Sequence, residues 1–283
     1  MMKIHEVSSA DYHTLLKCKR ADIFAPESYL SKSVLWELNS SSLFKWRFHP
    51  REFSPTPAMQ WGSLVDCLTT TPELVEEEIR ISPFSSYRTK EAKEWRDEQL
   101  TVGKTIITQQ QFDEGVKASE MLMQTNVQSA EIFDGSLKQV IIGAKVSGVQ
   151  FKGLVDLAPV GKNYLVDLKT TGMDFTLEGF SKAIANFGYH VQAGLYLALW
   201  NSTHPEDTRQ RFKIVWQSSN PPYEVCVTEL HRDEIAAGLK TALRLLGKLK
   251  HAAQEDYWPM LAENETPILN RPVWAAMQDE DDV

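Results

Sequence analysis

Three residues near the middle of the chain have the types and spacing needed for phosphate chemistry. Asp156 lies near the end of one apolar segment, and Asp167 and Lys169 lie in the next, beyond a turn at Gly161-Lys162-Asn163. If the segments are antiparallel strands, Asp156 lies opposite or nearly opposite Asp167, and alternation places Asp167 and Lys169 on one face. Like charges paired across strands are destabilising, so this arrangement requires a compensating cation.

The ligand chemistry indicates a hard divalent ion, Mg²⁺ or Mn²⁺. Asp156 and Asp167 provide carboxylate oxygens, and the backbone carbonyl of Leu168 is well placed to add a third oxygen ligand. Zinc is disfavoured because histidine is scarce and the three cysteines lie far apart. Lys169 would lie beside a metal-bound water and stabilise hydroxide or the charge that develops on a phosphate. The alternative is a hairpin with ordinary surface charges and one ion pair.

The wider sequence context resembles a known nuclease superfamily. Asp156 followed by Asp167-Leu-Lys169 is similar to the PD-(D/E)xK signature. The segments Asp167-Leu-Lys-Thr-Thr171 and Tyr189-His-Val-Gln-Ala-Gly-Leu-Tyr196 together resemble the C-terminal nuclease domain of exonuclease VIII (RecE) and its phage relatives. Weaker similarities occur at Tyr29–Ser33, Gly62–Asp66 and Trp258-Pro259, so the resemblance spans residues 28–260.

The resemblance implies roles for five residues. Asp156 and Asp167 would bind the metal, Lys169 would be the catalytic lysine, and Gln192 would orient the attacking water or a phosphate. Tyr196 lies one helical turn beyond Gln192 and could support it or contact DNA. The implied activity is a Mg²⁺-dependent exodeoxyribonuclease that digests linear double-stranded DNA 5′→3′. Its 3′ single strands would pass to an annealing recombinase in phage or prophage recombination, and relatives form ring-shaped tetramers.

Two positions depart from the family pattern in ways that affect the second metal position. Relatives carry Gly-x-x-x-His where this chain has Asp66 after Gly62, and Asp66 could still bind a metal or its water. Relatives also place a glutamate on the strand before Asp156, whereas residues 137–140 contain Gln139 and no carboxylate. Two alternative functions therefore stay open: a RecB-like nuclease for single-stranded or branched DNA, and a catalytically weakened module that binds DNA ends.

Basic and aromatic residues alternate between Phe44 and Arg51, as in segments that neutralise phosphates and stack on a terminal base. The alternative places Trp46 in the core and leaves the cations in solvent. His190 is expected to form structural hydrogen bonds. The candidate DNA contacts are Lys45, Arg47, Arg51, Arg88, Lys90 and Tyr196.

Hydrophobic periodicity predicts the elements that position these residues. Helices are expected at 31–48 with a break at Ser40–Ser42, at 59–70, at 91–132 with a break near Gly103, at 176–201 with a bend at Gly188, and at 232–253. Strands are expected at 137–157, 164–169, 212–217 and 223–230. This order indicates one α/β domain over residues 1–275, with a central mixed β-sheet flanked by helices. A mainly helical N-terminal layer (1–135) would precede a restriction-endonuclease-like catalytic core (136–260).

Charge and composition bear on the cellular compartment and on the kind of substrate. The 283 residues include 30 Lys and Arg against 38 Asp and Glu, a net charge of −8. Half of this excess lies at Asp279–Asp282, within a tail (276–283) that we expect to be disordered. No apolar run is long enough for a membrane span and residues 1–13 lack the apolar core of a signal peptide, so a reducing cytoplasm is expected. A DNA substrate would require the basic residues to cluster on one face, near Lys45, Arg47, Arg51 and Lys169.

Overall fold

A computed structural model describes residues 7, 11–50 and 55–271, which form a mixed α/β structure. The helices are α1 (Tyr12–Leu15), α2 (Lys32–Trp36), α3 (Leu43–Phe48), α4 (Pro57–Thr70), α5 (Val75–Glu78), α6 (Lys90–Thr101), α7 (Gln109–Glu120), α8 (Val127–Asp134), α9 (Leu177–Phe187), α10 (Tyr189–Thr203) and α11 (Arg232–Glu255). The strands are β1 (Tyr29–Ser31), β2 (Ile79–Ile81), β3 (Thr105–Ile107), β4 (Ser136–Val146), β5 (Val149–Pro159), β6 (Tyr164–Thr171), β7 (Arg211–Ser218) and β8 (Val225–Glu229). Arg51 and the acidic tail lie outside the described residues.

The central sheet has six strands of mixed direction, which confirms the predicted fold class. Its order is β1-β5-β6-β7-β8, and β4 pairs antiparallel with β5 along nearly its whole length. Because β4 covers one edge of β5, both β1 and β6 pair with the other edge. Residues Gln150–Lys152 pair with β1 in parallel, and Leu157 pairs with Val166 of β6 in antiparallel. The edge of β5 between these two partners is where the candidate site lies.

Apolar cores cover both faces of the sheet. One core joins β-strand residues such as Leu165 to α2, α9, α10 and α11, and the other joins Val166 and Leu168 to α4, α7 and α8. The alternation along β6 thus places odd-numbered residues toward α10. Asp167 and Lys169 therefore share the α10 side of the sheet, as their spacing predicts.

The break between α9 and α10 lies at the predicted glycine. Gly188 has a φ of +64°, in the left-handed region that ends α9 and lets α10 begin at once in a new direction. A Cβ at this position would also lie 2.6 Å from the Trp36 ring on α2. The corner is therefore fixed both by backbone conformation and by close packing.

The N-terminal part of the chain contains more β structure than predicted. Residues 91–132 read as helices with a break near Gly103, but the break contains β3, which forms a parallel two-stranded sheet with β2. The run Thr105-Ile-Ile107 is β-branched, and its three residues are too few to show a period. The region also adds β1 to the central sheet. None of the described helices is long and apolar enough to cross a bilayer.

Two glycines of α11 lie in opposite environments, so substituting them can test how tightly α11 packs against α10. A Cβ on Gly238 would lie 1.9 Å from the carbonyl oxygen of His190, whereas one on Gly247 would meet nothing within 4 Å. We expect Gly238→Ala to lower the free energy of unfolding by about 1–3 kcal/mol, because α10 and α11 must separate. Gly247→Ala should raise it by up to about 1 kcal/mol, since alanine favours the helix. Urea unfolding measures both, and equal effects would contradict the crossing.

Candidate active site

The candidate site opens where β5 and β6 separate. The pairing of Leu157 with Val166 makes Asp156 and Asp167 the next opposed positions of the hairpin, in agreement with the predicted register. The Leu168 N–H donates to Asp156 Oδ2 at 2.8 Å. A side chain thus replaces the strand carbonyl that would normally accept this bond. Because N–H and C=O of one strand residue point to the same side, the Leu168 carbonyl also faces this gap.

Asp167 is held from two directions. Gln192, in the first turn of α10, donates its amide Nε2 to Asp167 Oδ1 at 2.6 Å. Lys169 Nζ lies 2.5 Å from Asp167 Oδ2. Asp167 is only 2 % exposed and Gln192 8 %. A carboxylate oxygen has two lone pairs, so Asp167 Oδ2 has capacity for a further electrostatic partner besides Lys169.

Lys169 is a fixed positive charge. Burial alone would lower its pKa, but the negative charges of Asp167 and Asp156 outweigh burial and raise the pKa above its usual value. The ammonium also lies 5.0 Å from the centroid of the Tyr189 ring. It therefore remains protonated at physiological pH and can stabilise negative charge, but it cannot act as a general base.

The carboxylates carry more negative charge than Lys169 neutralises. Burial raises the pKa of Asp156 well above its usual value, and the charges of Asp167 and Asp66 raise it further. Burial also raises the pKa of Asp66, on α4, to about 6, while a hydrogen bond from Thr70 opposes this. Such a site is unfavourable by itself and would be relieved by a bound cation.

The residues fit a hard divalent cation with an incomplete protein ligand set. Asp156, Asp167 and the Leu168 carbonyl would hold it, and the capacity at Asp167 Oδ2 agrees with this assignment. Among the described residues, no three His, Cys, Asp or Glu side chains are grouped to hold a metal. The remaining ligands would be water and substrate oxygens, which suits Mg²⁺ because it retains several waters.

The two positions that depart from the family pattern contact each other. Gln139 Nε2 donates to Asp66 Oδ1 and Oδ2 at 3.0 and 2.9 Å, and lies 2.9 Å from Thr70 Oγ1. Lys138 and Val140 pair with Leu157 and Val155, so Gln139 lies opposite Asp156 in the ladder. Its φ of +51° is left-handed, which is rare for a residue with a Cβ. An amide–carboxylate pair thus occupies these two positions, next to Asp156.

Tyr196 is half-buried and lies against β5. Its ring would contact a Cβ at Gly153 at 2.9 Å, so the glycine makes room for it against β5. Burial raises the pKa of Tyr196 well above its usual value, and the charges of Tyr12, Asp167 and Asp156 add to this. His190 Nδ1 lies 3.3 Å from the Ile184 carbonyl, in keeping with the structural role expected for it.

Lys45 and Arg47, two of the predicted DNA contacts, lie on α3, which contributes none of the residues in this cluster. Trp46 is buried and donates Nε1 to the Val34 carbonyl at 2.8 Å, so it belongs to the core and cannot stack on a base. Arg47 lies over the rings of Phe48 and Trp258, at 5.0 and 5.5 Å from their centroids. Lys45 is exposed.

The candidate DNA contacts Arg88 and Lys90 lie on the surface of the protein. Arg88 is exposed on a loop, whereas Lys90 is the first residue of α6 and pairs with Glu94 at 3.6 Å. Both residues stay candidate DNA contacts on the grounds of charge alone.

Lys32 is a residue of the site that the sequence did not single out. It is 8 % exposed and donates Nζ to the Phe187 carbonyl at 2.5 Å. Burial lowers its pKa to about 8, and the nearby charge of Lys169 lowers it further, while Asp167 opposes this. Lys32 thereby ties α2 to the corner that leads into Gln192. The sequence feature that could have pointed to Lys32 is its position in Tyr29–Ser33, one of the segments that resemble the nuclease family.

Metal binding should depend on pH because protons compete for the carboxylates. The raised pKa values of Asp156 and Asp66 mean that ionisation in the folded state costs stability, and this cost appears as pH rises from the unfolded pKa through the folded one. We expect Mg²⁺ at about 100 times its Kd to stabilise the protein by about 2–3 kcal/mol near pH 8 and much less near pH 5. Thermal unfolding with Mg²⁺ and with EDTA measures this difference.

The matched variants are Asp156→Asn at the site and Asp134→Asn on the exposed end of α8. Asp156→Asn should lose the response to Mg²⁺, and Asp134→Asn should retain it. A Mg²⁺ response that survives in Asp156→Asn, or that does not change with pH, would be incompatible with the assigned ligands.

Two buried glutamines separate a metal-orienting role from a structural one. Gln192 binds Asp167, while Gln217 on β7 donates to the Ala118 carbonyl at 2.6 Å on the opposite face of the sheet. We expect Gln192→Leu and Gln217→Leu each to cost about 1–3 kcal/mol of stability. Only Gln192→Leu should weaken Mg²⁺ binding, by about 10–100-fold, because Gln192 orients a ligand. Isothermal titration measures the affinity, and equal weakening in both variants would disprove this role.

Comparisons with known proteins support the superfamily. The sequence profile of a family described as "PDDEXK-like domain of unknown function (DUF3799)" matches residues 43–266. No curated protein sequence matches the chain.

A solved structure shares this fold, and two others superpose only in part. A protein from Eubacterium rectale, provisionally assigned as an exonuclease, superposes with a TM-score of 0.63 at 14% identity, over 96% of this chain and 97% of that one. A phage-related exonuclease from Haemophilus somnus 129PT has a TM-score of 0.35 at 11% identity, over 68% and 98%. An alkaline exonuclease from Laribacter hongkongensis has 0.33 at 14%, over 59% and 84%.

The profile covers most of the chain and includes Asp156, Asp167 and Lys169. The superposition on the E. rectale protein extends over nearly the whole of both chains. The chain therefore belongs to the family of the PDDEXK-like domain of unknown function (DUF3799), and its mixed α/β fold is that of PD-(D/E)xK nucleases.

Proposed function

We propose that the protein is a divalent-metal-dependent nuclease that hydrolyses phosphodiester bonds in DNA. The observation that carries this proposal is the arrangement in the β5–β6 gap. There, Asp156, Asp167 and the Leu168 carbonyl offer oxygen ligands beside the half-buried ammonium of Lys169. Family membership supports the same chemistry.

The metal, Lys169 and Gln192 would have different roles in the reaction. A bound Mg²⁺ or Mn²⁺ would supply Lewis acidity and lower the pKa of a bound water. Lys169 stays protonated and donates to the phosphate oxygens, where negative charge increases as water attacks phosphorus. Gln192 keeps Asp167 oriented throughout. The P–O bond to the leaving oxygen breaks as the new bond forms; the attacking water releases a proton to solvent, and the leaving oxygen takes one from solvent.

The finer activity that we propose is 5′→3′ exonuclease digestion of linear double-stranded DNA. It would leave 3′ single strands for an annealing recombinase, in the cytoplasm of a cell that carries the phage or prophage. Support comes from the sequence similarity to exonuclease VIII and from the exonuclease assignment of the E. rectale protein with this fold. A ring-shaped homo-oligomer, as in the relatives, would keep the enzyme on its duplex.

A second candidate function follows from the Asp66–Gln139 pair. Both Asp66 oxygens accept hydrogen bonds from the Gln139 amide, so they are already engaged without a metal. If a second ion is required there, the protein would bind DNA ends without cutting them.

The test compares linear, nicked and single-stranded DNA with Mg²⁺ and with EDTA. The wild type should digest linear duplex only with Mg²⁺, and duplexes labelled at the 5′ or 3′ end give the polarity. Asp167→Ala and Lys169→Ala should each lower the rate at least about 100-fold. Asp134→Asn and Lys162→Ala, at exposed positions away from the gap, are the matched controls and should cut normally.

Each contrary result has a defined meaning. Digestion that survives Asp167→Ala would refute the site, and binding of ends without digestion by the wild type would favour the second candidate. Preference for single strands or branched DNA would favour a RecB-like activity.

A further inference from the structure

The helix α11 contains a long stretch with basic residues and no acidic ones. Between Glu234 and Glu255, its sequence has no aspartate or glutamate but contains Lys240, Arg244, Lys248 and Lys250. This is unusual in a chain whose net charge is −8.

Three of these cations form a line on the solvent side of the helix. We name Lys240, Arg244 and Lys248 the basic stripe, since their spacing of four residues places them on one face about 6 Å apart along the axis. All three are exposed. The opposite face packs into the core through Gly238, Ala242, Leu245, Leu246, Leu249 and Ala252.

The charges of the basic stripe are not paired with the acidic side chains that the structure describes. None of its members forms an ion pair within the part of the chain that the structure describes, whereas Lys90 and Lys182 each pair with a glutamate on their own helix. Nothing on the outer face between Glu234 and Glu255 neutralises the stripe, so its charge is available to an external anion.

Helix α11 crosses α10 beside the turn that contains Gln192. Gly238 packs against the His190 carbonyl, in the first turn of α10 that also contains Gln192. Lys240 follows two residues after this crossing. The basic stripe therefore begins within one turn of this crossing but lies on the solvent face of α11, which points away from α10.

We propose that the basic stripe binds the phosphate backbone of duplex DNA beyond the segment that reaches the active site. This inference rests on the proposed nuclease function and adds a contact surface to it. A duplex is favoured over a single strand because α11 has no Phe, Tyr or Trp, and single-strand sites use aromatic stacking. Phosphate contacts of this kind hold the substrate without reading its sequence.

The experiment measures equilibrium binding of the full chain to a fluorescent duplex in EDTA over a series of salt concentrations. In Lys240→Gln/Arg244→Gln/Lys248→Gln, the slope of log K against log salt should become shallower by about 2–3, since each lost phosphate contact contributes about 0.9. The matched control is Lys117→Gln/Lys145→Gln/Lys162→Gln, which removes the same charge from exposed positions on other elements. Its slope should equal that of the wild type.

A second variant, Lys240→Arg/Lys248→Arg, retains the charge and should keep the wild-type slope, so a loss caused by altered folding is recognised. An unchanged slope in the stripe triple variant would overturn the inference, as would equal losses in both triple variants. Loss of binding to anionic vesicles or to single strands, with duplex binding intact, would also overturn it.

Cutting assays separate this inference from the proposed function. If the wild type binds duplex through the basic stripe but does not cut, the nuclease proposal fails and the stripe stands. If cutting persists while the slope is unchanged in the stripe variant, the stripe fails alone.

Discussion

The mutual repulsion of closely spaced carboxylates is the constraint around which this structure is organised. Asp156 and Asp167 lie at opposed positions of one hairpin, with Asp66 approaching from α4; Asp167 is buried, and Asp156 and Asp66 are half-buried. Each partner nearby reduces the cost: the ammonium of Lys169, the amide of Gln192 and a backbone N–H from β6. The interruption of the β5–β6 ladder also reduces this cost, because it frees the Leu168 N–H to donate to Asp156.

Apolar packing away from the charged residues keeps this arrangement in place. The sheet is covered on both faces by apolar cores, so β6 cannot rotate its charged side toward solvent without exposing Leu165, Val166 and Leu168. Close contacts at Gly194 and Gly238 hold α10 against α11 and thereby fix the depth at which Gln192 enters. The unfavourable electrostatics are thus tolerated because packing elsewhere determines the fold.

Local sequence rules accounted for the parts of the site that lie close together in the chain. The turn and the alternation of side chains were enough to oppose Asp156 and Asp167, because the two strands are connected directly. The burial of Lys32 could not be predicted, since it depends on β1 adding in parallel to a strand more than a hundred residues later. The contact of Asp66 with Gln139 likewise joins a helix to a distant strand, and the left-handed backbone of Gln139 has no sequence signal.

The corner at Gly188 has a consequence for how relatives of this protein should be judged. Gly188 has no space for a side chain beside Trp36, and Lys32 holds the preceding Phe187 carbonyl. A homologue could therefore retain every acidic residue and the lysine of the reactive motif, yet lose the path that carries Gln192 to its position. Such a chain would be a pseudoenzyme that motif searches classify as active, and the glycine and tryptophan are the residues that would reveal it.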